Sequence, residues 1–354
     1  MNPFKSVMPV VMAALATSAC ASPPPSPVDT SRVDPTLGPE HAARQNSTDV
    51  VSVLVAQRDT QALSAMAREL RKARTRTESG LWTIGLFHGD VQFALTRKMS
   101  RATGCMSPNE NVAHRWLKED PKEPAAIITV AEIELSRAWC ERGSGYRNTV
   151  SDSQWAKFQR HAQSAYALLD ANRAVASVDP EFYAVTAKAY RAIGASEAQL
   201  EALLDEAAAR EPYYMRTYFA AAYSFLPQWG GSYHDLDRFA RYAAERTATS
   251  DKTGFYFRIY WSLEDDCNCT GPWNSGDWET MKQAMRDVYE RYPSQHNLDH
   301  ILDVTCKAGD FDEALTWMRT KHPTSTNDDD FVVIMGSCKA TAEMAKADAA
   351  RAIS

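Results

Sequence analysis

The sequence lacks the features that mark several large classes of protein. Beyond residue 20 it has no run of 18 uncharged apolar residues, so no membrane-spanning helix is predicted there. Its 45 acidic and 39 basic residues give a net charge of -6, and no basic stripe appears, which argues against a nucleic-acid partner. It also has no G-x-S-x-G, P-loop or dinucleotide motif, and the sequence predicts neither a cofactor nor a metal.

Residues 1–20 are predicted to be an export signal. Lys5 precedes an apolar stretch at 7–16, which is too short to span a bilayer core of about 30 Å. The segment 17–20, Thr-Ser-Ala-Cys, resembles a lipobox, and it predicts a bacterial lipoprotein that is lipidated on Cys20. The alternative is a signal peptidase that cuts after Ala21 at an A-x-A site.

The following residues, 21–45, are predicted to be a spacer. They are rich in proline, serine and threonine, a composition that favours an extended chain without a core of its own. Ala21 directly after the cysteine resembles a signal for sorting to the outer membrane. We therefore expect an exported, periplasmic protein that contacts the outer membrane only through its lipid anchor, with residues 46–354 forming a single domain.

Apolar residues recur at helical spacing along most of this domain. Phe158, Ala162 and Leu169, for example, share one face of a predicted helix. The segment 255–261 is aromatic or aliphatic apart from Arg258, which fits either a strand or a buried helix, and its helical neighbours favour the helix. Serine-led caps precede three predicted helices, namely Ser151 with Gln154, Ser196 with Gln199 and Ser232 with Asp235.

Proline spacing suggests repeated helix pairs. Pro180 and Pro212 lie 32 residues apart, and Pro293 and Pro323 lie 30 apart. Between the second two, the segment 307–315 resembles the turn and second helix of a tetratricopeptide repeat, whose period is about 34 residues. We therefore expect an all-α fold, an irregular tetratricopeptide-like helical-repeat solenoid that is stapled by disulfides.

Six cysteines remain once Cys20 is set aside, and an even number in an exported chain predicts disulfides. If Cys105 pairs with Cys140, two connectivities are left, because Cys267 and Cys269 are too close in sequence to pair comfortably. Either Cys267 joins Cys306 and Cys269 joins Cys338, or these partners are exchanged. A four-thiolate zinc site and a redox role for the Cys-x-Cys pair are less favoured alternatives.

His296 and His300 are separated by four residues and would share one face of a helix. Such a pair could hold a metal ion, but the H-E-x-x-H pattern and a third ligand are missing. The sequence therefore favours a solvated helix face at these two residues.

Two segments carry a resemblance to a known family. The first, residues 138–146, reads A-W-C-E-R-G-S-G-Y, and the second runs from Tyr223 to Ser232 and ends in W-G-G-S at 229–232. Together they resemble a bacterial family, labelled a domain of unknown function, whose tetratricopeptide-like helix pairs carry A-W-x-A-R-G-x-G-Y and W-G-G-S segments. The likeness covers roughly residues 50–300 and departs from the first motif at Cys140 and Glu141. It implies a fold but no activity.

These segments also supply the candidate binding surface, which consists of Arg142, Tyr146, Tyr223 and Trp229. Arginine and aromatic residues dominate the energetics of many recognition sites. The competing interpretation is structural and is favoured: the glycines end helices, and Trp229 fills a junction between helix pairs.

The predicted function is that of a non-enzymatic scaffold in the cell envelope, which binds an unknown protein or peptide partner. The alternative is a hydrolase of the cell envelope with a carboxylate site in the solenoid groove. An enzyme is expected to bring titratable groups with shifted pKa values together in a pocket, whereas a binder is expected to have an aromatic-lined groove.

Overall fold

The computed structural model describes residues 38–145, 147–263, 276–321 and 335–344, and it confirms the all-α prediction for them. Their only β feature is an isolated bridge between Arg76 and Trp82. The helices are α1 (Pro39–Gln57), α2 (Thr60–Ala73), α3 (Thr83–Thr96), α4 (Glu110–Glu119), α5 (Pro124–Arg142), α6 (Asp152–Ala171), α7 (Arg173–Ala176), α8 (Glu181–Ile193), α9 (Glu197–Arg210), α10 (Met215–Ala222), α11 (Tyr233–Asp251), α12 (Gly254–Ser262), α13 (Trp278–Arg291), α14 (Gln295–Ala308), α15 (Phe311–Lys321) and α16 (335–344). Short 3-10 helices cover Arg101–Thr103, Arg147–Thr149, Tyr223–Phe225 and Pro227–Trp229.

Three of these helices begin at the serine caps that the sequence predicts. The side chains of Ser151 and Ser196 each accept a hydrogen bond from the backbone N–H three residues later, and both capping boxes are complete. Ser232 caps α11 in the same way, through the N–H of Asp235. The segment 255–261 is helical and lies within α12, whose residues are mostly buried.

Neighbouring helices pack against one another along the chain, with α5 against α6, α8 against α10 and α11 against α12. The largest apolar core runs from α5 to α15, and a second core joins α1 through α5. None of the described helices combines the length and the apolar character that a membrane crossing requires.

The predicted spacer is wrong over residues 39–45, because these residues begin α1. Pro39 occupies the first turn of the helix, where its missing N–H costs nothing. Glu40 is buried and accepts hydrogen bonds of 2.9 Å from both the backbone N–H and the hydroxyl of Ser79. The boundary between the spacer and the folded domain therefore lies earlier than the composition predicts, because α1 begins at Pro39.

Two disulfides join helices in the described part of the chain. Cys105 bonds to Cys140, with their Cα atoms 5.7 Å apart, and Cys306 bonds to Cys338, with Cα atoms 4.9 Å apart. Both connectivities predicted for Cys306 and Cys338 are therefore wrong, because α16 packs directly on α14 and α15 and brings Cys338 to Cys306. Cys20, Cys267 and Cys269 lie outside the described residues.

The loop 74–82 between α2 and α3 ties the first helices to much later ones. The carbonyl oxygen of Ser79 accepts hydrogen bonds from Arg258 on α12, at 2.8 Å, and from Asn297 on α14, at 3.4 Å. Arg76 donates to the hydroxyl of Tyr292, and Arg74 pairs with Glu211. Ser79 and Arg258, which come from the two parts of the chain, border the same cavity.

Candidate functional site

The groove is a cavity of about 700 Å³ to which α1, α3, the loop 74–82, α8, α10, α12 and α14 contribute side chains. This volume lies within the range of about 300–1,000 Å³ that is typical of ligand sites. Its lining combines basic, aromatic and histidine side chains, and none of the described lining residues is acidic. The lining residues are Arg44, Ser79, Leu81, Gln92, Ala184, Lys188, Met215, Arg216, Phe219, Ala220, Tyr223, Arg258, Trp261, Ser262, His296 and His300.

Behind the groove, Glu181 forms a buried ion pair with Arg216. Arg216 donates to both carboxylate oxygens, at 2.7 and 2.8 Å, and the hydroxyl of Tyr214 donates to one of them at 2.6 Å. Burial alone would raise the pKa of Glu181, but the charge and hydrogen bonds of Arg216 outweigh this effect and hold the pKa at about 2. Gly85 on α3 makes room for the arginine, since a Cβ atom there would lie 2.8 Å from Arg216 Cδ.

Two further carboxylates near Glu181 are paired with basic side chains. Asp179 is fully buried between Arg71, at 2.9 Å, and His88, at 3.1 Å. Burial opposes ionisation of Asp179, but the neighbouring His88 and Arg71 lower its pKa overall. Glu132 accepts a hydrogen bond of 2.6 Å from Lys188. These paired carboxylates fix the basic side chains in place, and the lowered pKa values make Asp179 and Glu181 poor proton donors near neutral pH.

His296 and His300 lie at the groove, so the predicted solvated face is wrong for this pair. Both are half-buried, and Trp261 packs against them with ring centroids 5.6 Å from His296 and 4.1 Å from His300. Burial, together with the charges of His300 and Arg44, lowers the pKa of His296 to about 4, so its ring is neutral at pH 7. No group of three or more His, Cys, Asp or Glu side chains suited to a metal ion occurs within the described ranges.

Three of the four predicted surface residues, Arg142, Tyr223 and Trp229, lie close together. They form a cluster separate from the ion pairs of Glu181 and Asp179. Trp139 and Trp229, from the two family-like segments, meet edge to face with their ring centroids 5.2 Å apart. Arg142 lies over both rings, and Arg191 bridges Trp229, at 5.6 Å, and Tyr223, at 5.0 Å. Tyr146 lies outside the described residues.

Arg142 has a structural role within this junction, although its Nε atom has no hydrogen-bond partner among the described residues. Its Nη1 atom donates to the carbonyl oxygens of Gly143, at 2.9 Å, and Gly145, at 3.0 Å, which holds the turn after α5. Arg101, four residues before Cys105, donates to the last carbonyl groups of α5 from the other side. Of the predicted surface residues that the structure describes, only Tyr223 also lines the groove.

The sequence reasoning missed the basic residues of the groove. Arg44, Lys188 and Arg216 lie on three separate helices, one on each, so no local pattern marks them as a group. Arg258 had a usable signal, because it is the only charged residue in an otherwise apolar and aromatic segment. A lone charge in a buried helix indicates either an internal partner or a site.

Comparison of this chain with protein families, with curated proteins and with solved structures finds no match. The resemblance carried by the segments 138–146 and 229–232 therefore stays a prediction.

Proposed function

We propose that this protein is a non-enzymatic scaffold of the cell envelope, an irregular tetratricopeptide-like solenoid that binds a protein or peptide segment in the groove. Support comes from the helices α8, α10, α12 and α14, which all contribute to one cavity although they are spread between residues 181 and 308. In repeat proteins, the stacking of successive helix pairs produces an extended binding face of this kind.

The observation that carries the proposal is the composition of the groove. Phe219, Tyr223 and Trp261 offer apolar and aromatic surface, and basic groups beside them offer hydrogen-bond donors. Binding sites combine these two features, since apolar contacts supply affinity and a few polar groups fix orientation. A segment of extended chain presents side chains and backbone acceptors suited to both.

The alternative, a hydrolase of the cell envelope, has weaker support. General acid catalysis needs a carboxyl group that keeps its proton near neutral pH, but the pKa of Glu181 is held at about 2. Glu132, Glu181 and His88 do meet in a second cavity, yet its volume of about 10 Å³ has room for about one water molecule. The scaffold is therefore the better-supported function.

The pairing of the cysteines supports the proposed localisation outside the cytoplasm. Two disulfides among the described residues favour an oxidising compartment. The intact mass of the mature, non-reduced protein tests whether it is processed as a lipoprotein, since a diacylglyceryl group on Cys20 is then expected. A mature chain that begins at Ser22 would instead establish cleavage by the second route.

Site-specific photocrosslinking in intact envelopes tests binding in the groove. We would place p-benzoylphenylalanine at Phe219, which lines the groove, and at Phe93, which is 54% exposed and does not line it. A discrete crosslinked partner from position 219 alone is expected. Crosslinks of equal yield from both positions, or none from position 219, would contradict the proposal.

A further inference from the structure

The groove presents a basic lining in a chain whose net charge is -6. Arg44, Lys188, Arg216 and Arg258 all line it. Since the chain as a whole is acidic, this concentration of positive side chains at one cavity is a local feature. A surface of this kind attracts ligands of the opposite charge.

Three of these four cations have a carboxylate partner behind them. Arg44 pairs with Glu40 at 2.7 Å, Lys188 pairs with Glu132 at 2.6 Å, and Arg216 binds Glu181 in a bidentate manner. These pairs neutralise the layer on the protein side and hold the three cations in fixed positions.

Arg258 is different, because it has no ion pair within the described residues. It is only 3% exposed, its Nη2 atom donates to the Ser79 carbonyl, and its Nε atom has no hydrogen-bond partner there. Asp251 acts on it through space, but neither oxygen of that carboxylate makes a hydrogen bond. A buried guanidinium with an unused donor is costly unless a partner supplies an acceptor.

The surroundings of Arg258 indicate what else a ligand would contact. Trp261 lies one turn further along α12, and Phe219 and Tyr223 project from the neighbouring α10 segment. His296 adds a second ring beside Trp261. The cations therefore share the groove with aromatic surface, which suits a peptide that alternates acidic and apolar side chains.

We infer that the groove selects an acidic peptide segment, in which one carboxylate binds Arg258 and flanking apolar residues pack on Trp261 and Phe219. This inference depends on the proposed scaffold function and adds the chemistry of its partner. Lys188 and Arg44 line the same groove but are already paired with Glu132 and Glu40, so the carboxylate of the segment binds at Arg258.

Fluorescence anisotropy with three labelled decapeptides tests this selectivity on the purified mature protein. The peptides share two tyrosines and differ only in four positions, which are all Glu, all Gln or all Lys. We expect the Glu peptide to bind roughly tenfold or more tightly than the Gln peptide, and the Lys peptide to bind more weakly still. The affinity for the Glu peptide should fall as salt is raised.

Substitutions locate the selectivity. Arg258→Gln should remove most of the preference for the Glu peptide, and Arg258→Lys should retain part of it. Arg319→Gln, at an exposed position of α15, should leave the preference unchanged. If Arg258→Gln fails to fold, Arg44→Gln serves instead, because this side chain is 38% exposed, and it should lower the preference by a smaller factor.

The outcomes separate the two proposals. Equal affinities for the three peptides, with binding that is lost in Phe219→Ala, would overturn the acidic preference and leave the scaffold function standing. Binding that no groove substitution alters, or the absence of binding by all three peptides, would contradict both.

Discussion

Glu181 is a buried carboxylate whose charge is balanced by one arginine. In the Glu181→Gln variant, Arg216 keeps its charge but loses its partner, so we expect a loss of about 3–5 kcal/mol in the free energy of unfolding at pH 7. Glu290→Gln is the matched control, because Glu290 forms an exposed pair with Lys252 and its loss should cost far less. Urea denaturation of the three proteins measures both changes.

The same pair predicts a dependence on pH. The pKa of Glu181 is about 2 in the folded protein and has an ordinary value of 4.5, so the unfolded chain takes up the proton first. The stabilisation is complete above pH 4.5 and declines as the pH falls from 4.5 towards 2. The difference in stability between the wild type and Glu181→Gln should therefore shrink on acidification. A difference that is constant from pH 7 to pH 3 would refute this assignment.

Gly231, in the W-G-G-S segment, is a position where no side chain fits. A Cβ atom there would lie 2.8 Å from the Cα atom of Phe225 and closer still to its carbonyl group. We expect Gly231→Ala to cost about 1–3 kcal/mol, because backbone has to move and Trp229 moves with it. Gly336→Ala is the control, since position 336 is helical and has nothing within 4 Å. If both substitutions lower the midpoint temperature of thermal unfolding by the same amount, this account is contradicted.

At the scale of elements, the two disulfides connect to different parts of the fold. Cys105–Cys140 closes a loop of 35 residues, and Cys306–Cys338 closes one of 32. For loops of this length, chain entropy predicts that each disulfide stabilises the fold by about 4 kcal/mol. Cys105–Cys140 lies beside the Arg101 cap of α5 and the turn that Arg142 holds. Replacing both cysteines by serine should therefore raise hydrogen exchange in residues 139–145. Replacing Cys306 and Cys338 should instead release α16 and leave residues 139–145 protected, and the opposite pattern would be evidence against this division.

Elements were easier to predict than their arrangement. Helical periodicity and serine caps are local, so α6, α9, α11 and α12 could be predicted from a few residues each. The Cys306–Cys338 bond could not, because it depends on how α16 packs, and sequence distance excluded only the Cys267–Cys269 pair. The groove was also hidden, since it assembles single basic residues from helices far apart in the chain.

At the scale of the whole molecule, the loop 74–82 joins the two ends of the groove wall. The carbonyl oxygen of Ser79 accepts hydrogen bonds from Arg258 and Asn297, which lie 179 and 218 positions later in the chain. The backbone N–H of Ser79 donates to Glu40 on α1. Because these contacts join residues that are far apart in the sequence, no local pattern in residues 74–82 predicts them. The groove needs both sides, because Arg44 and Leu81 line it from one part of the chain and Trp261 from the other.

Gly80 offers a direct test of this connection. Its φ of +93° favours glycine, and a Cβ atom there would lie 2.8 Å from the ring of Tyr292. Gly194 has a φ of +75° but nothing within 4 Å, so Gly194→Ala also places alanine at a positive φ, without the clash. We expect Gly80→Ala to be the more destabilising and to raise hydrogen exchange at both 39–48 and 292–300, which flank the contact. It should also weaken peptide binding in the groove, while Gly194→Ala leaves both segments and the binding unchanged. Faster exchange confined to residues 74–82, with peptide binding unchanged, would mean that α1 and α14 hold their positions without this loop contact.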